Sequence, residues 1–153
     1  MWARLARLAQ GHFDVMEEIA GDREATQQAV IVSAVSFAVL VTIFDTAIQA
    51  PVLGIVLGVV GLMAWTGVLW ATGRIVGGKA RPVQVLRVLG YVSPPLAVAP
   101  IPIFGVMAGI GAISLQVVAM RRTHRINTLR AVVATVPPWI GLILFGVAVS
   151  ELA

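Results

Sequence analysis

From Ala47 to Gly73 no residue can ionise. About 20 apolar residues in a helix cross a hydrocarbon layer of roughly 30 Å, and a backbone in lipid must pair its own N–H and C=O groups, which only helices and closed barrels do. Barrel strands alternate apolar and polar residues in segments of about ten; this run does not alternate. An all-α integral membrane protein is expected. Composition agrees, since 59% of the 153 residues are hydrophobic and 12% charged, with a mean hydropathy of +0.95, whereas soluble domains carry about 25% charged residues.

The first span is expected from about Ala29 to Ile48, with Asp45 near its far end and Pro51 closing it. The second runs from about Val52 to Val76, and the short uncharged link between them makes a tight antiparallel hairpin. Gly54, Gly58 and Gly61 form a small-residue face on the second span, and Gly105 and Gly109 form another further on. Such faces let helix backbones approach closely in lipid.

Residues 83–120 are too long for one span and short for two, and carry Pro94, Pro95, Pro100 and Pro102 in their middle. Charge decides how often they cross. The basic residues fall in three groups: Arg4, Arg7 and Arg23; Arg74, Lys79, Arg81 and Arg87; Arg121, Arg122, Arg125 and Arg130. The positive-inside rule places all three in the cytoplasm, so an even number of crossings separates any two. Two short helices, about 83–99 and 103–120, are predicted to turn at APIPIFG, each roughly 25 Å long and therefore candidates for a re-entrant pair. The last span, about Ala131 to Ser150, contains Pro137 and Pro138, which predict a kink. Five membrane segments result, with the N-terminus cytoplasmic and the C-terminus external.

The chain divides into a leading part, residues 1–25, and a membrane bundle, residues 26–153. Trp2, Leu5, Leu8, His12 or Phe13, Met16 and Ile19 recur at helical spacing, which predicts one amphipathic helix over residues 2–20. Its apolar face suits the headgroup region, with Arg4 and Arg7 toward anionic lipid; a cap packed on the cytoplasmic loops is the alternative. Arg4, Arg7, Arg74, Lys79, Arg81, Arg121, Arg122 and Arg125 form an interfacial basic set.

There is no Cys, hence no thiol nucleophile, disulfide or thiolate metal site. Asp45 is the only carboxylate in a span, and with Tyr91 and Gln116 makes up the candidate intramembrane polar set; a hydrated helix-end role is the plainer reading of Asp45. An aspartyl mechanism needs two carboxylates in one site. Ser33, Ser36 and Ser114 lie along spans, while His12 and His124 fall at the interface and are expected to be surface histidines; neither has metal-ligand spacing. No enzyme, cofactor or metal site is expected. The net charge of +4 is spent on membrane orientation, and nucleic-acid binding is not expected.

Three stretches, FDVMEEIAGDREATQQA, GGKARPVQVLRVLGYVSPPLAVAPIP and MRRTHRINTLRAVVATVPP, together resemble the Yip family, membrane proteins named for interaction with Ypt/Rab GTPases. The resemblance covers about residues 12–150. It implies a five-segment membrane domain with a cytoplasmic N-terminus and no catalytic residues to carry over. The Arg-over-Lys, Ala/Val/Gly-rich composition is that of a prokaryotic member, in the cytoplasmic membrane. Two functions are expected to compete. One is a non-catalytic scaffold or accessory subunit of a larger membrane complex, with lipids, other membrane proteins or a second copy as partners. The other is a small transporter or channel-like protein with its site at the proline-broken pair.

Overall fold

In the computed structural model, residues 1–44, 50–98 and 101–151 are described, and among them the chain is helical with no strand. The order is α1 (Trp2–Ala9), α2 (Val15–Gly21), α3 (Ala25–Phe44), α4 (Ala50–Ile75), α5 (Pro82–Tyr91), a 3-10 helix (Pro94–Val98), α6 (Pro102–His124) and α7 (Thr128–Ser150). Among the described residues, three helices are long and apolar enough to cross a membrane, over Ala25–Ile43, Pro51–Ile75 and Thr128–Phe145.

The leading segment is two helices rather than one. Gly11 adopts a left-handed φ of 82°, a conformation glycine accepts without a Cβ penalty, and the chain turns there. Acidic side chains of α2 then face arginines of α1: Arg4 pairs with Glu18 and Asp22 at 2.9 and 2.7 Å, and Arg7 with Asp14 and Glu18 at 2.8 and 3.0 Å. On its other side α2 buries Val15, Met16 and Ile19 completely. This part therefore packs on the bundle as a cap.

The central pair is unequal, where two similar helices were expected. Helix α5 stops at Tyr91 after 10 residues, roughly 15 Å, because residues preceding Pro94 and Pro95 are pushed out of the helical region. Helix α6 instead runs 23 residues, beyond position 120, until Arg125 takes a left-handed φ of 54° and caps it. Its length is roughly 35 Å.

Glycines set the closest approaches. A Cβ on Gly54 would lie 2.6 Å from Ala38 Cα, and one on Gly58 would lie 2.9 Å from Phe37 Cβ, so α3 and α4 touch backbone to backbone there. Ser33 adds a bond across the contact, its hydroxyl donating to Gly58 O at 3.2 Å. Helix α5 meets α3 the same way at Gly90, where a Cβ would lie 2.6 Å from Ala29 Cβ.

Helix α7 starts at Thr128, with Asn127 Oδ1 accepting the Arg130 N–H at 2.9 Å, an N-cap bond. It continues through Pro137 and Pro138. Pro138 has no N–H for the carbonyl of Ala134, four residues back. The Thr72 hydroxyl of α4 donates to that carbonyl at 2.8 Å, so the proline is tolerated because α4 supplies the missing donor.

The packed core joins Val15, Met16 and Ile19 to Val85 and Val88 of α5, Met120 of α6 and Ala131 and Ala134 of α7. It lies at the end of the molecule where the basic residues collect. At the other end packing thins: every position of α7 from Ile140 to Phe145 is exposed, more than a full helical turn.

Candidate functional site

Between α3, α4, α6 and α7 lies a cavity of about 510 Å³. Its floor includes Ser33, Leu62, Leu89, Ser93 and Gln116, all buried. Its mouth, between α4 and α7, is edged by Ala64, Val68 and Leu142, which are exposed. Trp65 of α4 and Trp139 of α7 form the walls, with ring centroids 5.3 Å apart and planes at 71°, an edge-to-face pair.

Gln116 holds both rings. Its Oε1 accepts the indole N–H of Trp65 at 3.0 Å and that of Trp139 at 2.9 Å. Indole N–H groups only donate, so the carboxamide oxygen must face them. The amide NH2 is turned away, and among the described residues it has no acceptor. The cavity's hydroxyls are satisfied locally, Ser33 on Gly58 O and Ser93 on Gly90 O at 2.7 Å. Gln116 belongs to the intramembrane polar set expected from the sequence; the two tryptophans do not, because neither periodicity nor spacing pairs residues so far apart in the chain.

Tyr91 and Ser114 lie apart from this cavity. Tyr91 is buried at the basic end, and its hydroxyl donates to Gln28 Oε1. The side chain thereby ties α5 to α3. Ser114 is exposed. Asp45 lies outside the described residues. Gly61 lines the cavity, and a Cβ there would meet nothing within 4 Å, as at Gly109; Gly105 sits in the first turn of α6, its N–H on Ile101 O at 2.6 Å.

The basic end is a knit surface. Arg122 pairs with Glu17 at 3.0 Å, tying α6 to α2. Gln28 Oε1 also receives a long bond from Arg4 at 3.4 Å. Arg87, only 8% exposed, donates to Thr26 Oγ1 at 2.7 Å and Ala20 O at 2.9 Å, a buried role its place in a basic cluster did not signal. Hydrogen bonds from Arg4 hold the Glu18 and Asp22 carboxyls below their usual range. Arg74 donates to Gly78 O at 3.4 Å, the Arg81 N–H bonds Gln84 Oε1 at 2.9 Å, and Lys79, through its backbone N–H, bonds His124 O at 3.3 Å. Arg121 is exposed and Arg125 is the left-handed cap of α6.

His124 is fully buried, where a surface histidine was expected. Gly73 and Gly78 open the space: a Cβ at either would run into the imidazole. Among the described residues neither ring nitrogen has a hydrogen-bond partner, and burial, reinforced by the charge of Arg74, pushes the imidazole pKa below its ordinary value. Among the described residues no three His, Cys, Asp or Glu side chains come together as a metal site.

The model of the Yip1 domain matches residues 13–150, nearly the whole chain. This protein belongs to the Yip1 domain family. No curated protein and no solved structure matches it. As a Yip1 domain with several apolar helices, it is a multi-pass helical membrane protein. The match begins one residue after the start expected from the sequence and spans the three stretches that carried the resemblance. Residues 1–12, before the match, supply Arg4 and Arg7 to the basic end of this Yip1 domain.

Proposed function

We propose that this Yip1 domain is a non-catalytic membrane scaffold or accessory subunit, acting through lateral helix–helix and lipid contacts. Its partners are other integral membrane proteins or a second copy, in the cytoplasmic membrane of a prokaryote. The observation that carries this reading is the division of α7. Ala131, Ala134 and Thr135 are fully or almost fully buried, whereas Ile140 to Phe145 are exposed all round. One end of the bundle is closely packed, and the other offers an apolar helix to whatever lies beside it. In this reading α3, α4 and α7 cross fully, α5 with its 3-10 helix and α6 form the third and fourth segments, and the basic end is cytoplasmic.

A photoreactive residue in place of Leu144 should give discrete protein adducts in native membranes. If only lipid adducts form and the chain crosslinks to no protein, itself included, the scaffold reading fails.

The transporter alternative draws on the cavity, which reaches Ser93 and Gln116 of the proline-broken region. Against a polar or ionic cargo stands the lining itself, with Phe37, Leu62, Val68 and Leu96 and, among the described residues, no charged side chain. Conducting sites need convergent polar groups.

A further inference from the structure

We propose that the cavity between Trp65, Trp139 and Gln116 is a binding site for an uncharged, lipid-soluble molecule that presents a carbonyl oxygen to the Gln116 amide. Gln116 is 4% exposed. Its oxygen is engaged by two indoles, which leaves the two N–H donors of Nε2, on a residue that lines the cavity, with no acceptor among the described residues. A bare amide donor surrounded by hydrocarbon is unfavourable, so the occupant that fits best brings an acceptor.

The remaining features narrow the chemistry. Among the described residues no cationic or anionic side chain lines the space, so a charged group entering it would lose its hydration without a counter-charge. The serine hydroxyls are already committed to Gly58 O and Gly90 O, which leaves one polar anchor and an otherwise apolar enclosure. About 510 Å³ falls within the size of small-molecule sites, roughly 300–1,000 Å³. The mouth opens between apolar residues of α4 and α7, and Trp65 lies ten residues before Ile75 at the basic end of α4, about 15 Å along the helix. Entry is therefore from the hydrocarbon layer. An acyl ester and an isoprenoid-type quinone share the required chemistry, a carbonyl on an apolar body.

The mouth of the site shares Leu142 with the exposed stretch of α7, but binding of a small molecule by the purified chain is read without any protein partner, so its test does not depend on the scaffold reading. The full chain, purified in mild detergent, is examined by native mass spectrometry with three probes. These are 1-oleoylglycerol, its ether analogue 1-O-oleylglycerol, which lacks the carbonyl, and a decyl-substituted benzoquinone. A one-to-one adduct is expected with the ester, the quinone or both, which identifies the source, and the ether should be retained about tenfold less well than the ester or quinone that binds. Gly61→Leu should abolish the adduct with no loss of thermal stability, because its side chain enters open space in the cavity. Gln116→Leu should bring the bound carbonyl probe down to the ether's level. Should that variant fail to fold, its two indoles having lost their acceptor, Gly61→Leu and the carbonyl-against-ether comparison in the native chain decide the matter. The proposal is overturned if no probe binds, if the ether binds as well as the ester and the quinone, or if Gly61→Leu keeps the adduct.

Discussion

Gly90→Ala adds one methyl group at the contact of α5 with α3. The new carbon would lie 2.6 Å from Ala29 Cβ and 2.7 Å from its carbonyl carbon, whereas carbon atoms rest at about 3.5–4.0 Å. The obstacle is largely backbone, so α5 must withdraw by about 1 Å to restore ordinary contact. Arg87–Thr26, at 2.7 Å, and Tyr91–Gln28 flank the contact and both stretch. Overpacking of this kind costs about 1–3 kcal/mol, and each strained hydrogen bond adds up to about 1 kcal/mol. Replacing glycine inside a helix gives back about 1 kcal/mol. A net loss of about 2 kcal/mol is expected. Gly109→Ala is the matched control, since nothing lies within 4 Å of its Cβ and only the helix gain remains. Thermal unfolding of both variants in mild detergent, followed by circular dichroism and by loss of the monodisperse peak, reads the difference. If Gly90→Ala is as stable as Gly109→Ala, α5 is not seated on α3 as described.

Thr72→Val keeps the side-chain shape and removes the donor that serves Ala134 O, and should cost about 1–2 kcal/mol. Adding Pro138→Ala restores a backbone N–H to that carbonyl and should erase most of the loss; a cycle with no interaction between the two sites would refute the account of how α7 tolerates its prolines. Stability should also fall on mild acidification through His124. Its folded pKa is depressed, so the neutral ring's contribution is complete above the unfolded value of about 6.5 and is lost as pH falls through the folded value. Melting temperatures measured from pH 7.5 to 5.5 should decline in the native chain and much less in His124→Gln; parallel curves would contradict this. Glu18 and Asp22, held low by Arg4, titrate below that window.

What the sequence exposed was whatever lipid imposes along a single helix. The α3–α4 hairpin needed only two ion-free runs, and Gly54 and Gly58 advertise a close approach because glycine in a span has few other uses. Gly61 lies on the same helical face, yet a Cβ there would meet nothing within 4 Å and the residue lines the cavity instead, because spacing along one helix does not say how far its neighbour follows it. What escaped were features made between distant segments. His124 reads as a loop residue until Gly73 and Gly78 are seen to make room for it, and Arg87 reads as one charge among several until Thr26 and the Ala20 carbonyl are brought to it by the fold. The length of the leading helix failed at one residue: Gly11 interrupts an apolar period that otherwise runs through residues 2–20, and periodicity carries no information about φ.

Helix α7 contains two regimes of constraint. Its inner turns are fixed by side-chain size, since Ala131 and Ala134 are fully buried and any added atom must displace a neighbour. Its outer turns, from Ile140 to Phe145, touch so little of the bundle that exchange among leucine, valine, isoleucine and phenylalanine leaves the packed core unchanged. Drift should therefore accumulate unevenly along this one helix: near Ala134 residue identity is constrained, and around Leu144 the main requirement of the fold is hydrophobic character.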